Sequence, residues 1–432
     1  YRNYVKPTFE KAKSGSQNTW YINFTSAAYG LLPASYAWGY DALGERVNQK
    51  IEDYVWPLDV PVRLGTIVLN YPQYVDHRAW GQKPVKGEVV ARILDLNKPP
   101  NVWVDDDYGP QTPNWGITRF GSLRDGMDNV GRGGHVYVYP GDYGGDVLAE
   151  TDIRVVFKPG TTVLNGTVQI LDGSWDASKV DLTIDGMFAL EGGSLVSSPE
   201  RLFHARDFWL NQEYGAPKFD RYDGAGTQDD PYVIYDVYGL QAMAFHRDKH
   251  FELAGDLDAS VTENWVERFQ PIASSSRTRA FRGSLDGNGH TITGLHVSAG
   301  LHGGGLFGAM EGTLTSLGLV DVSVTGTNNV GGLAGWCGGT ITYCYVSGSV
   351  SGRDRVGGLV GMLDGGTISN CYSTASVRSE TGSFMNPYAA GGLVGGFGLH
   401  GGTLVSRSYA AGPVSGYDRG GIVGDTMGAG TV

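Results

Sequence analysis

Cysteine, clusters of basic residues and long apolar runs are all scarce in this chain of 432 residues. Three cysteines are too few for a disulfide framework. The formal net charge is −12, and no run of Lys or Arg is present, which argues against a nucleic acid partner. No apolar stretch approaches the ~18 residues that a membrane-spanning helix needs, so we expect no membrane span in this segment.

A starting methionine is also missing, and no signal-peptide pattern follows Tyr1. The sequence stops at Val432, a few residues into a fresh copy of the repeat described below. We therefore expect a processed or partial product whose polypeptide is longer at the C-terminal end.

Glycine, by contrast, is abundant at 67 residues, but no G-X-Y period accompanies it, which excludes collagen. Hydrophobic residues make up 41% of the chain and 24 tyrosines are present, which argues against disorder. Only 18% of the residues are charged. This composition predicts an all-β protein with many tight turns.

A five-residue phrase returns near the C-terminal end, with starts 27, 26, 34 and 29 residues apart. Its copies are 304–308 (GGLFG), 331–335 (GGLAG), 357–361 (GGLVG), 391–395 (GGLVG) and 420–424 (GGIVG). Self-similarity at this period is typical of a solenoid. Each period holds three short β segments and three turns, which predicts one triangular coil of a right-handed parallel β-helix. One aliphatic residue per copy would stack in the interior: Leu306, Leu333, Leu359, Leu393 and Ile422.

Residues 1–100 do not show the repeat. Polar and apolar residues alternate with period 2 at 20–25, and runs at 60–71 and 89–96 also have strand character. These features predict a small N-terminal β-rich, sandwich-like domain that ends at the stiff Pro99-Pro100 boundary.

The remaining chain divides into three parts. Residues 101–218 carry a capping box at Ser122 followed by short β segments, which predicts the start of a β-helix with a capping helix. Residues 219–298 lead into the repeats and contain a predicted short helix from 236 to about 247. Residues 299–432 are the repeat coils.

Residues 219–432 resemble proteins that carry the GLUG motif, a family of bacterial surface proteins, adhesins and some extracellular peptidases. The resemblance rests on 226–232, on 281–290 and on the repeated Gly-Gly-Leu-Val-Gly with its Cys-Tyr partner. It implies a β-helical architecture at a cell surface and says little about activity. Residues 103–143 resemble the start of secreted right-handed β-helix domains of the pectate-lyase-like superfamily, which holds lyases, hydrolases and non-catalytic surface proteins.

GLUG-bearing peptidases rely on a zinc motif, and its nearest counterpart here is the pair His246 and His250. The i, i+4 spacing fits, but Arg247 stands where the motif needs a general-base Glu. We therefore interpret the pair as structural or surface residues, and we predict no catalytic site and no metal site there.

Two groups of aspartates could carry chemistry. Paired carboxylates can act as acid and base on polysaccharides, but aspartate is also a favoured turn residue. We interpret one group as turn residues, with polysaccharide cleavage as the alternative: Asp172, Asp176, Asp181 and Asp185. A second group could hold a Ca²⁺ ion: Asp105, Asp106 and Asp107. No other cofactor is predicted.

Three tyrosines follow an interior column directly, in successive repeats: Tyr345, Tyr372 and Tyr409. Strand alternation should turn them outward, where they would stack on sugar rings or on a partner's side chains. The alternative is mutual stacking that stabilises the coils. The interior column includes Cys344 and Cys371, which we predict to be free buried thiols because parallel side chains on neighbouring rungs hold their Cβ atoms too far apart for a disulfide.

Together these features predict a non-catalytic, secreted or cell-surface structural or adhesion protein. We expect it to self-associate through the ends of the β-helix, as a filament or surface-layer subunit. Extracellular glycans or cell-surface molecules are further expected partners. The alternatives are an extracellular polysaccharide lyase or hydrolase, and a carbohydrate-binding surface protein.

Overall fold

The computed structural model describes residues 98–212, 218–273, 277–300, 303–380, 388–425 and 430–432, and the backbone of two short strands nearer the N-terminus. The fold is all-β, with 50% strand and 7% helix, and its sheets are parallel. Two compact units are present: residues up to Thr162 together with 171–176, and residues 163–170 together with 177–432. The predicted division at 100, 218 and 298 stays a prediction.

The first fifteen strands lie between residues 21 and 220. They are β1 (Tyr21–Asn23), β2 (Thr66–Val68), β3 (Asn101–Val104), β4 (Arg119–Phe120), β5 (His135–Val138), β6 (Gly141–Gly144), β7 (Val147–Ala149), β8 (Arg154–Phe157), β9 (Gly160–Asn165), β10 (Val168–Ile170), β11 (Ser174–Ala177), β12 (Val180–Leu190), β13 (Ser194–Ser197), β14 (Phe203–Leu210) and β15 (Lys218–Asp220).

The remaining strands follow from residue 232. They are β16 (Tyr232–Ile234), β17 (His250–Leu253), β18 (Leu257–Asp258), β19 (Ser284–Asp286), β20 (Thr291–Thr293), β21 (His296–Ser298), β22 (Phe307–Met310), β23 (Thr313–Thr315), β24 (Gly318–Thr325), β25 (Asn328–Gly331), β26 (Ala334–Cys337), β27 (Thr340–Thr342), β28 (Tyr345–Gly352), β29 (Asp354–Gly357), β30 (Val360–Leu363), β31 (Thr367–Ser369), β32 (Tyr372–Ser373), β33 (Ser376–Ser379), β34 (Ala389–Gly391), β35 (Val394–Phe397), β36 (Thr403–Ser406), β37 (Tyr409–Ala410), β38 (Val414–Ser415), β39 (Asp418–Gly420), β40 (Val423–Asp425) and β41 (Gly430–Thr431). The helices are α1 (Leu123–Asn129) and α2 (Val237–Ala242), with 3₁₀ turns at Met243–Phe245, Ser260–Glu263 and Arg277–Arg279.

In the first unit, parallel strands stack β-branched residues in the interior. Strands β4, β3, β5, β8 and β11 pair in that order. The register places Val102 against Val136 and Val136 against Val155, and none of the three has exposed surface. Valine favours such pleated, buried positions because its branched side chain packs against the same residue on the next strand.

Helix α1 lies where the sequence predicts a capping helix, and its role as a cap stays a prediction. Ser122 is its N-cap, and its Oγ accepts a hydrogen bond from the Asp125 N–H at 3.1 Å. The helix buries Leu123 and Met127, which the sequence spacing places on one face.

In the second unit, the chain from residue 232 runs repeatedly through four parallel sheets. Sheet A has the order β16–β17–β19–β23–β27–β31–β36–β41, and sheet B has β18–β20–β24–β28–β32–β37 with β21, β33 and β38 beside it. Sheet C is β22–β26–β30–β35–β40, and sheet D is β25–β29–β34–β39. Neighbours within the repeats are one period apart in sequence, so each passage through the four sheets is one coil. This topology is consistent with the predicted parallel β-helix.

The sequence predicts three strands per coil, whereas the structure has four, because the Gly-Gly-Leu phrase forms a bend. Strand β25 ends at Gly331 and β26 begins at Ala334, so that Gly332 and Leu333 turn the chain from sheet D to sheet C. A Cβ atom on Gly332 would lie only 2.7 Å from a methyl carbon of Val346. Glycine therefore permits the close approach of two strands at this corner.

The predicted aliphatic column is confirmed in the interior for its four leucines. Leu306, Leu333, Leu359 and Leu393 have no exposed surface, and Ile422 is half-buried. The Leu333 N–H donates to the Leu359 carbonyl at 2.9 Å, and the Leu359 N–H donates to the Leu393 carbonyl at 2.9 Å. The backbone ladder thus continues through the corner.

The cysteines are buried and free, as predicted for Cys344 and Cys371. Cys371 Sγ accepts a hydrogen bond from the Cys344 N–H at 3.3 Å, and Ser408 Oγ accepts one from the Cys371 N–H at 3.1 Å. Leu317 is fully buried in the preceding coil. Leu317, Cys344, Cys371 and Ser408 therefore occupy equivalent places in successive coils, as a column of small and apolar side chains.

The predicted helix at 236–247 is shorter in the structure. Asp236 caps α2 by accepting the Gly239 N–H at 2.8 Å, but α2 ends at Ala242 and gives way to a 3₁₀ turn. The chain must turn there because strand β17 begins at His250.

Near the N-terminus, β1 lies within the predicted strand at 20–25 and β2 within the one at 60–71, and the two pair in parallel. The predicted strand at 89–96 and the rest of the sandwich-like domain lie outside the described residues. So does most of the longer segment in the third repeat, at 381–387.

Candidate functional site

The three predicted tyrosines form one stacked column on sheet B. Parallel register pairs Tyr345 with Tyr372, and Tyr372 with Tyr409. The first two ring centroids lie 4.9 Å apart with an interplanar angle of 1°, and the second two lie 5.1 Å apart at 4°. Tyr345 and Tyr372 are half-buried, and Tyr409 is 56% exposed. The side chains therefore reach the surface, and they also stack on one another.

Stacking covers both faces of the Tyr372 ring and one face of each neighbouring ring, so a sugar ring cannot use those faces. The column begins beside Gly318, where a Cβ atom would lie 2.5 Å from Cζ of Tyr345. Burial, together with the neighbouring phenols, raises the pKa of Tyr372. The column therefore presents ring edges and a row of phenol hydroxyls to solvent, and binding of a sugar or partner at these residues stays a prediction.

A second aromatic surface, absent from the sequence-based prediction, lies on β3 and β5 of the first unit. The Trp103 and Tyr137 rings lie 5.9 Å apart at 29°, and the His135 ring lies 5.9 Å from Tyr137 at 12°. The Arg119 guanidinium is 5.4 Å from the centre of the Trp103 ring, and the Lys158 ammonium is 4.4 Å from that of Tyr137. We call these five residues the aromatic platform.

All five platform residues are half-buried, so part of each side chain remains open to solvent. The sequence signal is the alternation in β3 and β5, where buried valines separate outward-facing aromatic rings. Aromatic faces can pack against the apolar face of a sugar, and nearby cations can pair with an anionic substituent. The platform is therefore chemically suited to a glycan.

Among the described residues, Asp105, Asp106 and Asp107 are the only group of three or more potential metal ligands, with ligand atoms within 4.8 Å of one another. Asp106 Oδ2 accepts the Asp142 N–H at 2.8 Å, and Asp105 Oδ1 accepts the Asp107 N–H at 3.2 Å. Burial, reinforced by the charges of Asp106 and Asp105, raises the pKa of Tyr143. These backbone contacts account for part of the clustering, and Ca²⁺ binding stays a prediction.

The other four aspartates belong to both units: Asp172 and Asp176 to the first, Asp181 and Asp185 to the second. Asp172 Oδ1 accepts the next N–H along the chain at 2.7 Å, and Asp181 Oδ1 accepts the Leu202 N–H at 3.0 Å. Asp185 is exposed, 3.6 Å from Nη1 of Arg206. Asp172 therefore has the contact of a turn residue, whereas Asp176 lies on β11 and both Asp181 and Asp185 lie on β12. The turn interpretation holds for Asp172 and is wrong for the other three.

The two histidines of the zinc-like spacing have different surroundings. The His246 ring packs 5.3 Å from Tyr232 and 5.8 Å from Tyr222, and burial lowers its pKa. His250 lies on β17, with Nδ1 2.8 Å from Ser284 Oγ. Each ring has a structural partner, which supports the interpretation of the pair as structural residues.

Asp364, whose side chain is fully buried, brings together donors from three segments. His400 donates its backbone N–H at 2.8 Å and lies with Nδ1 2.9 Å away, Trp336 Nε1 lies 3.4 Å away, and the Arg277 guanidinium forms an ion pair. Burial opposes ionisation, but the His400 hydrogen bonds and the Arg277 charge hold the pKa of Asp364 below its usual range. No local sequence motif indicates this cluster, because its members are far apart in the sequence.

The C-terminal coils thus combine parallel strand pairing with a recurrent Gly-Gly-Leu corner. Residues 352–378, which run from the end of β28 into β33, match the family described as the GLUG motif. The chain therefore contains a GLUG motif.

Over 173 residues, 38% of the chain, the sequence is 37% identical to halomucin of Haloquadratum walsbyi, and the match spans 2% of halomucin. A crystal structure of a candidate immunoglobulin A1 protease from Bacteroides ovatus is similar with a TM-score of 0.40 and 27% identity. That similarity covers 47% of this chain and 64% of the other. In the part of the chain that the structure describes, no helix is long and apolar enough to cross a membrane.

Proposed function

We propose that this chain is a structural segment of a cell-surface protein, built as a right-handed parallel β-helix and used for adhesion or surface assembly rather than catalysis. The observation that carries the proposal is the register of successive coils, which keeps equivalent residues aligned. Parallel crossover connections are right-handed in about 98% of cases, which is the reason for the proposed hand. The GLUG motif and the similarity to halomucin support a surface location.

Alignment of the coils repeats one surface along the molecule. On sheet A, Thr313, Thr340 and Thr367 are paired in register on neighbouring strands, and the tyrosine column repeats in the same way on sheet B. A surface that repeats at the ~4.8 Å strand spacing offers the same contact many times. Such repetition suits weak, multivalent attachment to a partner that is itself repetitive.

The surface location is tested by treating intact host cells with a protease that cannot enter them. We expect an epitope in the full-length protein, placed beside these coils, to be lost from intact cells while a cytosolic marker survives. An epitope that persists until the cells are lysed would refute the surface location.

Self-association is tested by sedimentation velocity of the purified chain over a wide range of concentrations. We expect larger species to appear as the concentration rises. A single monomeric species throughout would contradict assembly through this segment, and it would leave the surface location untouched.

A second candidate function, glycan binding, is favoured by the aromatic platform. On a glycan array, we expect binding that falls at least severalfold in Trp103→Ala and is unchanged in Tyr417→Ala, since Tyr417 is 50% exposed on the second unit. Equal binding by the two variants would refute this role. Release of unsaturated or reducing sugars from the same glycans, abolished by Asp185→Ala, would instead favour the enzymatic alternative.

A further inference from the structure

The tyrosine column has a geometry suited to a covalent reaction that the proposed surface role does not include. Its three rings are nearly parallel, with interplanar angles of 1° and 4°. We propose that this column is a site of oxidative cross-linking, in which Tyr372 forms a dityrosine bond with Tyr345 or Tyr409.

The backbone fixes which carbon atoms face each other. Each tyrosine sits at the equivalent position of a parallel strand, so the three side chains leave the sheet in the same direction. Centroid separations of 4.9 and 5.1 Å therefore bring each ortho carbon (Cε) near its counterpart on the next ring. In dityrosine the new bond lies in the plane of both rings, so the two rings must turn about their Cβ–Cγ bonds, out of face-to-face contact, until their ortho edges meet. Holding the reacting groups side by side replaces a bimolecular encounter with an intramolecular step.

The reaction requires a peroxide as oxidant and a haem peroxidase to activate it. Each of two phenols loses one electron and one proton, which leaves two phenoxyl radicals. The radicals pair to form one carbon–carbon bond between their ortho carbons, and each of those carbons passes its hydrogen to the phenolic oxygen as the ring becomes aromatic again. One hydrogen peroxide accepts the two electrons and two protons and yields two water molecules.

Access and stacking distinguish this column from other tyrosines. Tyr409 is 56% exposed, so the oxidant can reach one end of the column. Another close pair, Tyr222 and Tyr232, has centroids 4.9 Å apart, but each of its rings packs against Phe251. The Tyr222 hydroxyl also donates to the Gly239 carbonyl at 2.6 Å, which restrains that ring. We therefore expect the column to react in preference to this pair.

A dityrosine bond here joins two neighbouring coils of one chain. It restricts the unfolded chain, as any cross-link between distant residues does, and so raises the unfolding temperature. The benefit to the organism rests on the proposed extracellular location, but the chemistry rests only on the geometry of the column. A failed cross-linking reaction therefore leaves the surface location standing, and an intracellular location leaves the cross-linking result standing.

The test treats the purified chain with hydrogen peroxide and a haem peroxidase, at a protein concentration low enough to suppress reactions between chains. Dityrosine fluorescence measures the yield, and mass spectrometry of proteolytic peptides identifies the joined residues. We expect Tyr345–Tyr372 and Tyr372–Tyr409 bonds within a monomer of unchanged size, and a rise in its unfolding temperature.

The decisive variant is Tyr372→Phe, which keeps a ring in the column and removes the phenol shared by both bonds. Because proximity drives the coupling, we expect its dityrosine yield to fall about tenfold. Tyr345→Phe and Tyr409→Phe should each retain the other bond. The matched control is Tyr343→Phe, because Tyr343 is 64% exposed at the corner beside the column and should not affect the yield.

Three results would overturn the proposal. The first is a yield from folded Tyr372→Phe equal to that of the unaltered chain. The second is a set of bonds that join Tyr343, Tyr222 or Tyr232 in place of the column residues. The third is dityrosine found only between chains.

Discussion

Replacing Leu359 with alanine tests the dependence of the coils on their interior column. Leu359 has no exposed surface, and its backbone is bonded to the Leu333 and Leu393 rungs on either side. Losing a buried leucine side chain costs about 2–5 kcal/mol of unfolding free energy, and the cost is higher where the site cannot collapse. Because both neighbouring rungs are held by the parallel ladder, we expect a loss in the upper part of this range, about 3–5 kcal/mol.

Urea unfolding, followed by circular dichroism, measures this loss, and amide hydrogen exchange shows where it falls. Stability in stacked repeats is largely a sum of nearest-neighbour terms, so the faster exchange should concentrate in the coils that contain Leu333, Leu359 and Leu393. The control is Leu399→Ala, because Leu399 is 86% exposed and its truncation should change stability by no more than about 0.5 kcal/mol. Equal losses in the two variants, or exchange that rises only far from the substituted coil, would refute the reasoning.

Three further predictions follow from individual contacts. Gly318→Ala places a Cβ atom 2.5 Å from Cζ of Tyr345, so the free energy of unfolding measured in urea should fall by about 1–3 kcal/mol. The control is Gly255→Ala, whose added Cβ atom has no neighbour within 4 Å and should leave this free energy unchanged. Equal effects of the two substitutions would contradict the close approach at Gly318. The folded pKa of Asp364 is depressed, so its contribution is present above the unfolded pKa and is lost as the pH falls through the folded value. In Asp364→Asn the free energy of unfolding should therefore fall less steeply as the pH is lowered. An equally steep fall in the variant and in the unaltered chain would contradict this prediction. Burial raises the pKa of Cys337 to about 12. Iodoacetamide should therefore label this thiol slowly in the folded chain and rapidly in urea. Rapid labelling without urea would show that the thiol is accessible and would contradict this prediction.

The features predicted correctly from the sequence are those that repeat with the period. The burial of Leu359, the free thiol of Cys344 and the outward position of Tyr372 each follow from combining strand alternation with the spacing of the copies. The register between neighbouring coils also follows from the sequence, because a shift by one residue would expose the aliphatic column to water.

The number of strands per coil could not be read from the same pattern. Residues 330–337 are all buried, so no alternation of buried and exposed residues marks the bend at Gly332 and Leu333, and sequence periodicity does not distinguish one strand from two strands joined at a corner. The fourth sheet is defined by the pairing of β25, β29, β34 and β39, which only the folded chain shows.

The two clusters that the sequence-based prediction lacks depend on contacts between distant segments. Asp364 meets Arg277 across 87 residues and His400 across 36, and no residue near Asp364 in the sequence indicates these partners. The platform is partly visible in the alternation of β3. Its cations join it only because folding places Arg119 beside Trp103 and Lys158 beside Tyr137.

The third repeat is 34 residues long where the second is 26, yet pairing is kept on both sides of its longer segment. Val350 remains opposite Val377 before that segment, and Val356 remains opposite Ala390 after it. Evolution can therefore lengthen or replace this stretch without disturbing the rungs that flank it. The same position is a natural choice for grafting a foreign peptide that must be displayed without remodelling the scaffold.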